Sequence, residues 1–285
     1  MFMESAHQLA QQLRAQQAAK TAPVTAADLS SVLTRTLMVP TSAGTIPVYA
    51  QYPHFHTATG MVINLHGSGF IFPHNDRDTL FCKRLCLAAN LTVFDVDYPL
   101  APEHPFPVPL QATYEVVQFL TQRYHDQLGW PTLIGHSAGG NLAIGTQLLA
   151  RRQDKPLVQQ VILDYPALDL DTDPREKSYP AGAADHISAK LAQQFNAFYR
   201  PDGETGNPLI SPVTAQPADL QNFPRTFILT ADHDTLMAEA ERFGQLLVAA
   251  NVAVTTHRYP NSHHGFTVGG EGAAAQAFQD ILAWL

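Results

Sequence analysis

From Gly60 onward the chain alternates two patterns. Short runs of apolar and β-branched residues give way to longer stretches whose apolar positions recur every three or four residues. The short runs are Met61 to Leu65, Leu91 to Val96, Thr132 to Ile134, Val161 to Leu163, Arg225 to Thr230 and Val252 to Tyr259. Between and after them lie helical stretches, Asp78 to Ala89, Val108 to Tyr124, Ala138 to Arg151, Thr235 to Ala250 and Gly272 to Leu285. Continuous apolar strands separated by helices predict a parallel sheet covered on both faces. Two earlier segments, Thr34 to Val39 and Ile46 to Tyr52, flank Thr41-Ser42-Ala43-Gly44 and read as an antiparallel hairpin at the sheet edge.

Two regions break the alternation. Residues 1 to about 31 are rich in Ala and Gln and read as helical. Residues 172 to about 219 are rich in Pro and Gly, with one helical patch from Ser188 to Tyr199. Long irregular insertions in compact domains usually have a function. These two are expected to form a small helical cap on a single domain spanning 1–285.

Composition narrows the function classes. A length of 285 residues with 45% hydrophobic content supports a large core and excludes a disordered chain. The net charge of −8 disfavours nucleic acid and anionic membranes as main partners. The first residues, Met1-Phe2-Met3-Glu4-Ser5-Ala6, lack the basic-then-apolar pattern of a signal peptide. No apolar run is long enough to span a membrane. Cys82 and Cys86 sit one helical turn apart and read as buried thiols. A cytoplasmic protein with no membrane association is the expectation.

Candidate chemistry clusters at the predicted strand ends, where open parallel sheets bind ligands. Gly135-His136-Ser137-Ala138-Gly139 is a G-x-S-x-G turn between a strand and a helix. A serine that projects its hydroxyl from so tight a turn needs neighbours without side chains, which Gly135 and Gly139 supply. Asn64-Leu65-His66-Gly67-Ser68-Gly69-Phe70 follows another strand. Its backbone N–H groups can face a cavity. In ester cleavage each such preorganised donor to the oxyanion contributes about 2.7–4 kcal/mol. The expected donors are the N–H groups of Ser68, Gly69 and Ala138, with His66 bracing the loop.

An acid and a base follow in Ala231-Asp232-His233-Asp234-Thr235 and Asn261-Ser262-His263-His264-Gly265-Phe266. The chain order Ser137, Asp234, His264 is that of an α/β-hydrolase triad. Asp232 competes with Asp234, and His263 with His264. Asp234 is preferred because it directly precedes the helix expected at Thr235, His264 because of the His264-Gly265-Phe266 run. A metal site built from Asp232, His233, Asp234, His263 and His264 would suit zinc or manganese, but leaves the serine turn unexplained. His74, Asp76 and Asp78 read as a polar loop and helix cap.

Together these segments resemble the hormonesensitive-lipase-like family (family IV) of α/β-hydrolase carboxylesterases. The counterparts are His66-Gly67-Ser68-Gly69, Tyr98-Pro99-Leu100-Ala101-Pro102-Glu103, Gly135-His136-Ser137-Ala138-Gly139-Gly140-Asn141, Asp234-Thr235-Leu236-Met237-Ala238-Glu239 and His264-Gly265-Phe266. The resemblance implies the α/β-hydrolase fold, with a mostly parallel eight-stranded sheet. It also implies serine esterase activity on short-chain esters through an acyl-enzyme, with neither metal nor organic cofactor, and it allows a homo-oligomer. Three residues depart from the family pattern: Ser68 replaces a glycine, Pro99 an arginine, and His136 the usual acidic residue beside the nucleophile. Phe70, Phe72, Phe198, Tyr199 and Phe266 are candidates for lining the substrate pocket, or for plain core. Amide or lactone cleavage by the same triad is an alternative. So is a non-catalytic binding protein on this fold, although such receptors lack the triad histidine.

Overall fold

The computed structural model describes residues 2–20, 32–53, 58–180 and 187–285. In chain order the elements are α1 (Phe2–Lys20), β1 (Leu33–Thr41), β2 (Gly44–Tyr52), β3 (Met61–Leu65), α2 (Asp76–Ala89), β4 (Thr92–Val96), α3 (Val108–Leu128), β5 (Thr132–His136), α4 (Ala138–Arg152), β6 (Gln160–Asp164), α5 (Ala189–Tyr199), β7 (Arg225–His233), α6 (Met237–Ala249), β8 (Val254–His263), α7 (Phe266–Gly269) and α8 (Ala274–Trp284).

The eight strands form one sheet in the order β1-β2-β4-β3-β5-β6-β7-β8. The β1–β2 hairpin is antiparallel and joins β4 antiparallel, whereas every other pairing is parallel. Every residue of β3, β4, β5 and β6 is buried. Their side chains alternate between two cores. Ile63, Phe94, Leu133 and Val161 face α3, α4 and α6, where they meet Leu120, Leu142 and Phe243. Val62, Val93, Ile134 and Ile162 face α2 and α8, where they meet Phe81, Leu85, Phe278 and Ile281. Apolar residues on both sides of each strand are what a doubly covered parallel sheet requires.

The strand and helix boundaries differ from the apolar pattern in a consistent direction. β5, β6, β7 and β8 run past their apolar stretches to end on His136, Asp164, His233 and His263. The ladder continues through these polar tips, with His136 opposite Asp164 and His233 opposite His263. A bulge between Ala231 and His233 lies just before the β7 tip. α6 begins at Met237 rather than Thr235, because the Asp234 carboxylate first closes a turn by accepting the Leu236 N–H at 3.0 Å. α2 begins two residues before its predicted start, set by a capping box between Asn75 and Asp78.

The described helices of the two irregular regions both join the larger core. α1 buries Ala10 fully in the larger core, and α5 adds Phe195, Phe198 and Tyr199 to it. Ser188 caps α5 by accepting the Leu191 N–H. Residues 21–31 and 181–186 of the expected cap lie outside the described residues. Among the described residues no helix is long and apolar enough to cross a membrane.

Candidate active site

Ser137 links β5 to α4 with φ 51° and ψ −116°, a backbone conformation that side-chain-bearing residues rarely adopt. The sequence around it supplies the room. A Cβ on Gly135 would lie 2.4 Å from the Gly139 carbonyl oxygen, and one on Gly139 would lie 2.2 Å from that of Leu65. No side chain fits at either position. The turn is held from β6: the Ser137 N–H donates to the Asp164 carbonyl at 2.9 Å, and the Ala167 N–H donates to the Ser137 carbonyl at 3.1 Å.

The β7 and β8 tips deliver two more side chains to this turn. His264 Nε2 lies 2.9 Å from Ser137 Oγ, and its Nδ1 lies 2.8 Å from Asp234 Oδ2. Asp234 is 1% exposed, so its carboxylate faces the imidazole out of water. The competing pair has other work. Asp232 accepts the backbone N–H groups of Asn261 at 2.9 Å and Ser262 at 3.1 Å. Partial burial pushes its carboxyl up, but these two donors outweigh that and hold it below its ordinary range. Asp232 thus ties the β8 end to β7, and the ring of His263 packs against His233. Among the described residues no group of three or more His, Cys, Asp or Glu is arranged to hold a metal ion.

The loop after β3 lies beside the serine. The Cβ position of Gly67 is 3.5 Å from Ser137 Cβ. Among the described residues, none accepts a hydrogen bond from the N–H of Ser68, Gly69 or Ala138. The side chain that Ser68 adds to the loop turns away from this edge. Its Oγ accepts the Phe70 N–H at 2.8 Å and lies 2.8 Å from the Tyr98 hydroxyl, which is 2.6 Å from the His66 carbonyl. The carbonyl can only accept, so Tyr98 donates there and the Ser68 hydroxyl donates to Tyr98. His66 stacks on Tyr98 at 4.3 Å and is fully buried. Burial and the nearby His74 pull its imidazole down to about 3, which keeps it neutral.

Arg14 and Phe195 also hold this loop, and neither stood out in the sequence. Arg14 of α1 donates to the Ile71 carbonyl at 2.7 Å, to the Ala101 carbonyl at 2.9 Å and to both Glu103 oxygens at 2.7 Å. It braces, from a distant element, the segment in which Pro99 stands in place of an arginine. The signal was invisible in one dimension because the partners lie 57 to 89 residues away. The Phe195 ring lies 2.8 Å from where a Cβ on Gly69 would be, so Gly69 both adopts φ 52° and leaves space for the ring. The helical spacing of Phe195 before Phe198 and Tyr199 was its only trace in the sequence.

The five aromatic candidates separate by burial. Phe70 stacks on Tyr199 at 3.8 Å, and both are buried, as are Phe198 and Phe266. Phe266 packs among Tyr165 and Tyr259. Phe72 is half-buried and meets Phe195 edge-on at 5.6 Å.

Residues 62–268 match the family model described as the alpha/beta hydrolase fold. The chain belongs to this family. Within the alpha/beta hydrolase fold, its motifs and its esterase relatives place it in the hormonesensitive-lipase-like branch. A carboxylesterase of Mycobacterium tuberculosis, NlhH, is 31% identical over 227 residues, covering 78% of this chain and 71% of that protein. An arylesterase of Saccharolobus solfataricus is 28% identical over 226 residues, covering 78% and 72%. Among solved alpha/beta hydrolases, the Pyrobaculum calidifontis esterase superposes with a TM-score of 0.83 at 25% identity, covering 99% of this chain and 96% of that one. Carboxyl esterase 2 of Tuber melanosporum superposes with a TM-score of 0.80 at 26% identity, covering 89% and 86%.

Proposed function

We infer that the protein is a serine carboxylesterase, with Ser137 as nucleophile, His264 as general base and Asp234 as the carboxylate that orients it. One observation carries the reading: a single imidazole bridges the Ser137 hydroxyl at 2.9 Å and a buried carboxylate at 2.8 Å. Asp234 holds the proton on Nδ1, which leaves Nε2 free to take the serine proton as Oγ adds to the ester carbonyl. The carbonyl oxygen becomes an oxyanion beside the N–H groups of Ser68, Gly69 and Ala138. Collapse expels the alcohol, which leaves with the proton from His264, and an acyl group remains on Ser137. Water then attacks that acyl group with His264 again as base, and the carboxylic acid departs. These groups supply every step themselves.

The relatives named carboxylesterase and arylesterase support an ester substrate. The Phe72 and Phe195 rings beside Gly69 support small acyl groups, since they occupy the space next to the oxyanion loop. α1 and α5 act as the cap over this side of one domain, with Arg14, Phe195 and Tyr199 as its contacts to the loop. The net charge of −8 supports a partner set without nucleic acid, and free buried Cys82 and Cys86 support a reducing cytoplasmic setting.

Purified protein assayed with 4-nitrophenyl acetate tests the assignment. Wild type is expected to turn over, and Ser137→Ala is expected to fall to background with an unchanged circular dichroism spectrum. Retained turnover in that variant would assign the chemistry to another nucleophile.

A further inference from the structure

The tips of four adjacent strands carry a line of buried polar side chains that the hydrolytic steps do not use. Asp95 of β4, Asn64 of β3, His136 of β5 and Asp164 of β6 are each at most 1% exposed. Asn64 Nδ2 donates to Asp95 Oδ1 at 2.9 Å. Its carbonyl oxygen therefore faces His136 Nε2, at 3.0 Å, and that nitrogen must carry a proton. The other ring nitrogen, Nδ1, lies 2.7 Å from Asp164 Oδ2. An acidic side chain at position 136 would set acceptor against acceptor here, whereas the imidazole joins the amide to the carboxylate.

Asp164 is where this line meets the active site. Its carbonyl accepts the Ser137 N–H at 2.9 Å. Its Oδ2 also accepts the hydroxyl of Thr267. Thr267 lies on α7, three residues beyond His264, and in turn accepts the Tyr165 hydroxyl at 3.0 Å. The Tyr165 ring stands edge-on to the His264 ring, with centroids 4.8 Å apart.

We propose that His136 is a positioning residue for His264. Through Asp164 it holds Thr267, and so fixes the start of α7 that aims the His264 imidazole at Ser137. The inference rests on the assignment of Ser137, His264 and Asp234 made above. A shift of about 1 Å in a reacting group, caused from a distance, can cost about 100-fold in rate. The effect should fall on kcat, since none of these side chains meets the substrate.

The test compares His136→Leu, His136→Asn, Thr267→Val and the Leu/Val double variant. It reads 4-nitrophenyl acetate kinetics together with the proton NMR line of the His264 Nδ1–H shared with Asp234. His136→Leu and Thr267→Val are each expected to lower kcat by roughly tenfold or more with KM within about twofold. The double variant should be no slower than the slower single one, because both cut the same tether. His136→Asn, which keeps a donor towards Asp164, should recover most of the rate. The Nδ1–H line should broaden or shift wherever kcat falls. Additive losses, an unchanged line in a slowed variant, or His136→Asn as slow as His136→Leu would overturn the proposal. Should His136→Leu fail to fold, Thr267→Val and His136→Asn decide alone: wild-type kcat in Thr267→Val overturns it. An active Ser137→Ala protein would instead sink the triad assignment, so the two failures are distinguishable.

Discussion

Two aspartates two residues apart hold different parts of the same site. Asp234 sits at hydrogen-bond distance from His264, while Asp232 spends both oxygens on the backbone of the β8 end. Asp234→Asn would leave the fold but present the wrong histidine tautomer, and a loss of kcat of about 10⁴-fold is expected. Asp232→Asn still has one oxygen for those N–H groups, so its rate should stay within about tenfold of wild type, with a modest loss of thermal midpoint. A steady-state comparison of the two variants checks this. The sequence made the two aspartates competitors because both lie just beyond the same apolar run, and it favoured Asp234 only for its place before the expected helix. What separates them is the bulge at Ala231, which no apolar pattern records. His74 gives a second prediction at this scale. Burial works against its charge, yet Asp95 at 2.6 Å, with Asp78 and Asp97 nearby, pushes the imidazole up to about 9. Between pH 6.5 and about 9 the folded protein binds a proton that the unfolded chain has lost. This contribution is full below that window and disappears as pH rises through it. His74→Gln should have a lower thermal midpoint at pH 7, and its midpoint should fall less from pH 7 to 9 than that of wild type.

At the level of elements, the parts most legible in the sequence were those with a single period. β3 was read to the residue, and the strands and longer helices were anticipated, though not the short α7, because burial on both faces leaves an unbroken apolar run. The strand tips were not, since they are polar: His136, Asp164, His233 and His263 extend their ladders beyond the apolar runs. The contacts of α1 were equally hidden. Arg14 looks like an ordinary surface residue in a helix rich in Ala and Gln, yet its guanidinium joins α1 to the loop at Ile71 and to the segment at Ala101 and Glu103. Arg14→Ala should therefore raise hydrogen exchange in α1 and in residues 68–72 together and lower kcat/KM. Exchange raised in α1 alone would show that the loop does not depend on this clamp. Arg14→Lys should only partly substitute, since an ammonium cannot reproduce the fork.

For the whole molecule, the cap reading sets the expected substrate range. Phe70 stacks on Tyr199, Phe72 meets Phe195 edge-on, and the Phe195 ring lies against Gly69 of the loop after β3, which supports a preference for short acyl chains. Acetate and butyrate esters of 4-nitrophenol should be hydrolysed faster than the palmitate ester, and Phe195→Ala should shift the preference towards longer chains. An unchanged profile in that variant would place the acyl group elsewhere. Sequence reasoning reached the family and named the three side chains that the structure brings within hydrogen-bond distance, because each sits in a local motif with strict backbone demands. It did not reach the tethers among them, His136 to Asp164 to Thr267 and Arg14 to Ile71, because those depend on which strands become neighbours. The account as a whole depends on Ser137 being the group that becomes acylated. Mass spectrometry of the protein treated with diethyl 4-nitrophenyl phosphate reads this directly. One diethylphosphoryl group on the peptide containing Ser137, gained in step with loss of activity and absent in His264→Ala, is the predicted result. Inactivation with the label on any other residue would contradict it.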